Sequence, residues 1–183
     1  AAPSSWYALK VFHNKVFMLE ERIKGAFEGV ECYVPTITVV VRTADGHNAS
    51  RVKPAVAGLM FVKCQAEIIP EIRGTIRGNA MFYPSADGAP ARIREREMQM
   101  FRLVASSGDT GLEFLGDDVA DYAVGQRVRV LQGVFKGAEG CIRRIRGNRR
   151  LVVSVNGICA VATSYIPACF LEHLPDASAP EGK

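Results

Sequence analysis

One stretch, residues 125–142, constrains the fold of this chain more than any other. It reads Gly-Gln-Arg-Val-Arg-Val-Leu-Gln-Gly-Val-Phe-Lys-Gly-Ala-Glu-Gly-Cys-Ile. Arg127 and Arg129 alternate with Val128 and Val130, and a period of two predicts a strand with one face buried. Gly133, Gly137 and Gly140 follow, with Phe135 the one bulky ring between them. Glycines so closely spaced predict tight turns or a close approach of backbones. A second apolar strand starts at Cys141. The first expectation is therefore a small β-domain built on a glycine-rich hairpin.

That β-domain cannot be the whole molecule. The chain has 183 residues, 48% of them hydrophobic, enough for one moderate core or two small ones. The charge is uneven. Residues 123–173 hold eight Lys/Arg against two Asp/Glu, a net +6, whereas the whole chain carries +4, so the remainder is at −2. A basic small domain joined to a near-neutral larger one predicts an anionic partner for the former. No apolar run approaches the roughly 20 residues that cross a bilayer. The start, Ala-Ala-Pro-Ser-Ser, shows no leader pattern, and the reading is a cytoplasmic protein without a membrane partner. Five cysteines (Cys32, Cys64, Cys141, Cys159, Cys169) are odd in number and widely spaced, which predicts reduced, buried thiols rather than disulfides or a zinc site.

In the first half, residues 6–12 read as an aromatic and β-branched strand. Asn14 is placed to cap a helix over 15–27, where Val16, Leu19, Ile23 and Phe27 recur at helical spacing. Residues 30–34 and 36–42 read as strands broken at Pro35. Residues 43–53 read as an exposed hairpin tip around Asp45-Gly46. A central strand is expected over 56–64, a short helix around Glu71 and Ile72, a brief strand over 80–83 and a helix over 93–105. The order β-α-β-β-α-β-α predicts an α+β domain, an antiparallel sheet flanked by helices, over 1–105. Residues 106–122 carry five acids and no base. They read as an acidic linker with an apolar knot at Leu112, Phe114 and Leu115. Short strands at 126–131, 140–145, 150–155, 158–162 and 169–171 then predict an all-β small barrel over 123–174, and 175–183 a disordered tail.

The glycine-rich hairpin spells a KOW motif and resembles the C-terminal domain of NusG-type transcription elongation factors, an SH3-like barrel. Trp6-Tyr7, Cys32-Tyr33-Val34-Pro35 and Gly58-Leu59-Met60-Phe61-Val62 resemble the NusG N-terminal (NGN) domain. The resemblance covers nearly the whole chain. Residues 52–56, 149–154 and 160–167 are similar to specialised paralogs of the UpxY type. The family usually carries Pro-Gly where this chain has Ala57-Gly58.

The resemblance implies a non-enzymatic factor, needing no cofactor, that rides on RNA polymerase as a monomer. Its NGN domain would dock on the clamp helices of the largest subunit through a hydrophobic groove and suppress pausing or termination. Specialised paralogs do so at chosen operons, often those for surface polysaccharides. By position, Leu59 and Phe61 match groove residues, with Phe82 or Tyr83 beside them; the same apolar side chains equally suit a core. Trp6 and Lys10 share a face of the first strand, and Lys10 stands where the family has a groove residue. Arg22 and Lys24, with Arg73 and Arg77, fall roughly where specialised members face the non-template DNA strand, and arginine suits phosphate and guanine-edge contacts. Arg143, Arg144, Arg146, Arg149 and Arg150 cluster about a turn at Gly147-Asn148, a pattern suited to RNA or DNA phosphates. Asn156 occupies the position where general NusG factors dock a ribosomal protein with a bulky apolar residue, so that docking is not expected here.

Catalysis is not indicated. His13, His47 and His173 lie in separate segments without metal-ligand spacing, and no phosphate-binding glycine loop opens a helix. The competing reading is an RNA- or ribosome-binding KOW protein acting in translation. On regulation, the β-branched content of 151–155 predicts a barrel that stays independent of the first domain and leaves its groove open.

Overall fold

The computed structural model describes residues 2–116 and 125–175. The chain divides into two compact units, Ala1–Glu95 and Arg96–Lys183. In the first, β1 (Ser4–Val11), β2 (Glu31–Tyr33), β5 (Leu59–Gln65) and β6 (Ala80–Phe82) form an antiparallel sheet in the order β2-β5-β1-β6. Tyr7 lies opposite Val62 and Leu9 opposite Met60. That register sends Tyr7, Leu9, Val11, Met60, Val62 and Cys64 to one face. There they pack with Leu19 and Ile23 of α1 (Val16–Ala26) and Ile72 and Ile76 of α2 (Ile69–Ile76). Leu19, Ile23 and Ile72 are fully buried, each stabilising the fold by about 1.5–3 kcal/mol.

Local chemistry sets the ends of α1. His13 and Asn14 both take left-handed conformations, φ 59° and 55°. Asn14 is therefore part of the turn and not the expected cap; the N-cap is Lys15, which makes no side-chain cap bond. At the other end the Phe27 N–H donates to the Ile23 carbonyl.

Residues expected as an exposed tip contain a strand. β3 (Thr36–Arg42) pairs with β4 (Asn48–Pro54) over its whole length in a separate two-stranded ribbon, Val40 opposite Ser50. The ribbon is exposed to half-buried along its length. A strand wet on both faces needs no apolar alternation, so the polar sequence of β4 gives no period-two signal.

The second unit holds most of α3 (Glu95–Ala105) and a six-stranded antiparallel sheet. Its order is β12-β8-β9-β10-β11-β7, formed by β7 (Glu113–Leu115), β8 (Gln126–Val130), β9 (Glu139–Ile145), β10 (Asn148–Val155), β11 (Cys159–Tyr165) and β12 (Leu171–His173). Four of the five expected strands are present; in place of the fifth, expected at 169–171, Ala168–Phe170 form a 3-10 turn and β12 begins at Leu171. β7 is additional: the apolar knot of the expected linker pairs with β11, Phe114 opposite Val161. Asp117, Asp118 and Asp121 of that linker, and the tail beyond Pro175, lie outside the described residues.

Within this unit α3 is held at several points. The Phe101 ring meets Phe114 edge-on at 6.4 Å. The Glu139 N–H donates to the Met100 sulfur at 3.3 Å, and Arg96 pairs with Glu139 at 2.6 Å. The two compact units divide between Glu95 and Arg96, after the first residue of this helix, whereas the sequence predicts a first domain that runs to residue 105. Helical periodicity shows which face of α3 is apolar but not which sheet covers it.

In the glycine-rich hairpin, Gly140 opposes Val128. A Cβ at Gly140 would run into the Val152 carbonyl oxygen of β10 and crowd Leu151. This glycine permits a close backbone approach, and Phe135 is buried in the turn it belongs to. Short turns link the next strands: Arg146-Gly147 joins β9 to β10 and Asn156-Gly157-Ile158 joins β10 to β11. Arg146, Gly147, Asn156 and Gly157 have positive φ, the geometry that matches strand twist in tight hairpins. The turn expected at Gly147-Asn148 is thus shifted by one residue, and Asn148 opens β10 opposite Ile145.

Among the described residues, no helix is long and apolar enough to cross a membrane.

Candidate functional site

The second face of the first sheet carries Trp6, Ala8 and Lys10 from β1, facing Lys63, Phe61 and Leu59 respectively on β5. Tyr33 opposes Phe61 across β2, and Met81 opposes Lys10 across β6. Strand alternation places all of these on one side. Trp6 and Leu59 are 1% exposed and Phe61 is 0% exposed, with the Tyr33 ring stacked on Phe61 at 6.2 Å. Of the two readings of Leu59 and Phe61, exposed groove or core, their burial fits the core. The Lys63 ammonium lies 5.9 Å from the Trp6 ring and pairs with Glu95 at 3.0 Å.

Phe82 does not sit beside Leu59 and Phe61. It opposes Leu9 and meets Tyr7 edge-on at 6.0 Å, on the face toward α1 and α2. Its neighbours in sequence take the other side. Met81 is 48% exposed, Tyr83 is half-buried and Lys10 is exposed. Met81 is legible as the opposite side of the strand from alternation with Phe82.

Arg73 lies in the last turn of α2, and Arg77 is its C-cap residue with a non-helical backbone, φ −51° and ψ 129°. With Met81, Phe82 and Pro84 they line an open groove of about 520 Å3, and the Arg73 guanidinium lies 6.0 Å from the Phe82 ring. Arg22 and Lys24 are exposed on α1 and do not line that groove. Lys24 pairs with Glu20 at 2.7 Å; this hydrogen bond holds its ammonium above the ordinary lysine pKa.

The five clustered arginines of β9, β10 and the turn between them separate into two groups. Arg150 reaches Glu113 at 2.7 Å and the Gly111 carbonyl at 3.3 Å, and Arg146 reaches the same carboxylate at 3.3 Å. These two secure the edge strand β7. Arg143 faces Arg150, and Arg144 faces Arg149, across β9 and β10. Arg143, Arg144 and Arg149 line a concavity of about 430 Å3 with Gln126, Ile142, Leu171 and His173.

A second acid, Glu139, joins Arg96 of α3 (2.6 Å) to Arg129 of β8 (2.9 Å), and Arg129 also reaches Glu172 at 3.2 Å. Burial pushes the Glu139 carboxyl up, but the Arg129 and Arg96 guanidiniums outweigh it and hold the pKa below 4.5. A carboxyl depressed in the fold stabilises it above the unfolded pKa of about 4.3, and that contribution is lost as pH falls through the folded value. Acid titration followed by circular dichroism should show stability falling below about pH 4, with a shallower fall in Glu139→Gln.

All five cysteines are free. Burial pushes the Cys64 thiol up to about 11 and the Cys159 thiol up to about 12, so both remain protonated at neutral pH and behave as small apolar residues. Among the described residues, no three His, Cys, Asp or Glu side chains group as a metal site.

A family model described as "Transcription termination factor nusG" matches residues 4–102, more than half of the chain. Among solved structures, one described as "Domain interaction in Thermotoga maritima NusG" superposes with a TM-score of 0.50 at 18% identity, covering 94% of this chain and 98% of that one. At that identity the likeness concerns fold. No curated protein matches. With an antiparallel α+β domain followed by an all-β KOW-like domain, and the family model spanning the first of them, the chain belongs to the NusG family of transcription elongation and termination factors, which bind RNA polymerase and are not enzymes.

Proposed function

We propose that this protein is a specialised member of its family, of the UpxY type, that suppresses pausing or termination at a restricted set of operons, plausible ones being surface polysaccharide loci. The observation that carries the specialised reading is the β10–β11 turn. Asn156 stands there at φ 42° before Gly157 at φ 68°. Asparagine suits this left-handed position through local backbone hydrogen bonding, and it offers no bulky apolar group for a ribosomal protein.

In this reading the first domain meets the polymerase clamp helices through the exposed part of its second sheet face, Lys10, Met81 and Tyr83. Leu59 and Phe61 join that contact only where they become uncovered. The Arg73–Arg77 groove faces the displaced non-template strand, with Arg73 and Arg77 on phosphates and base edges. Arg22 and Lys24 add positive potential on α1, Lys24 weakly because of Glu20.

The double variant Arg73→Ala/Arg77→Ala tests the groove. Both side chains are exposed, so stability should change by no more than about 0.5 kcal/mol per site. Terminator readthrough in a reconstituted transcription assay should fall by roughly 10-fold or more if each arginine contributes about 1 kcal/mol. Unchanged readthrough would remove the groove from the account.

A further inference from the structure

We infer that the concavity formed by β8, β9, β10 and β12 is a binding site for the phosphodiester backbone of a single-stranded nucleic acid, held by Arg144 and Arg149. The inference deepens the nucleic-acid part of the function proposed above, but its geometry stands within the second domain and does not depend on polymerase binding.

Like charges placed directly opposite on an antiparallel ladder destabilise it. This sheet does so twice, at Arg143–Arg150 and at Arg144–Arg149. At the first pair the cost is offset, because Arg150 binds Glu113. At the second, no acid among the described residues pairs with either guanidinium. Two adjacent, uncompensated arginines are an unfavourable arrangement for the free fold and a favourable one for a bound anion.

The surroundings select the kind of anion. Gln126 opposes Ile142 on the neighbouring strand pair, and His173 and Leu171 border the same concavity from β12. Gln126 and His173 supply hydrogen-bonding groups, whereas Ile142 and Leu171 supply apolar surface. The volume of about 430 Å3 is within the range of sites for small organic ligands. Arginines beside an apolar wall suit a phosphate that carries a sugar and base more than they suit a bare inorganic ion. Readout of this type follows the backbone and ignores sequence.

Arg146 provides the internal control. It is in the turn next to this pair and has the same charge, yet it is directed to Glu113 at 3.3 Å.

The test uses the full chain and fluorescein-labelled RNA and DNA oligonucleotides of the same sequence, with anisotropy followed across a salt titration. Each phosphate contact on a single strand contributes about 0.7 to the slope of log K against log salt. Arg144→Gln/Arg149→Gln should therefore lower the slope by about 1.4 for both RNA and DNA, while Arg146→Gln leaves it unchanged. The double variant should melt no lower than the parent, because a repulsion has been removed, and should still co-purify with RNA polymerase. The inference is overturned if the slope is unaffected, if Arg146→Gln loses as much, or if the double variant melts lower. It is also overturned if inorganic phosphate displaces the oligonucleotide at equal concentration, since the site would then serve a free anion.

Discussion

Phe61→Ala should lower the stability of the free protein by about 3–5 kcal/mol, the usual cost of removing a buried ring. Phe61 is fully buried, stacked by Tyr33, and lies opposite Ala8, which is also buried. Ala8 offers little bulk to collapse into the space left behind. The melting temperature should drop by roughly 10 °C or more, read by circular dichroism. Met81→Ala is the comparison. Met81 is 48% exposed on the same sheet face, so its removal should move the melting temperature by only about 1–2 °C while weakening capture of RNA polymerase. A Phe61→Ala protein that melts like the parent would show that this face is not core, contrary to the structure.

Gly58→Ala should be almost as costly, at roughly 2–4 kcal/mol, for two reasons that add. Gly58 has φ +69°, a conformation that costs a residue with a Cβ about 1–2 kcal/mol. The new Cβ would also lie 2.5 Å from the Val11 carbonyl oxygen, and relieving such a clash by moving backbone costs about 1–3 kcal/mol. The displaced backbone is not idle: the Val11 N–H donates to the Gly58 carbonyl at 2.7 Å, at the end of β1. Denaturant titration should show a lowered midpoint. As a control, Gly46→Ala removes a glycine of similar φ, +84°, with nothing near its Cβ, and should lose only the conformational part, about 1–2 kcal/mol.

Periodicity made most of the architecture legible. Val16, Leu19 and Ile23 announced α1, and the Val128–Val130 alternation announced β8, because each has one dry face and one wet one. The elements that sequence did not disclose lack that contrast. β4 is exposed along most of its length, and β7 is only three residues long in an acidic stretch. Its Glu113 is part of the fold through Arg146 and Arg150, which composition alone read as a solvated linker charge.

The candidate site was legible in part. Arg73 and Arg77 stand four residues apart in sequence, and both line one groove. Burial was not legible for Leu59 and Phe61, since an apolar strand residue reads the same whether it docks a partner or fills a core. The choice between Phe82 and Tyr83 depends on register with β1, Leu9 opposite Phe82, which residue types do not reveal. The arginine cluster is visible as a block, but which members bind Glu113, Arg146 and Arg150, follows from strand pairing and not from composition.

The most direct measurement of the central claim is terminator readthrough by purified RNA polymerase on a template from the operon this protein serves, with and without the full chain, alongside identification of what co-purifies with it. The account predicts that RNA polymerase co-purifies and that readthrough rises on that template and not on an unrelated one. Ribosomal subunits in place of polymerase, or readthrough that falls or stays level, would contradict it.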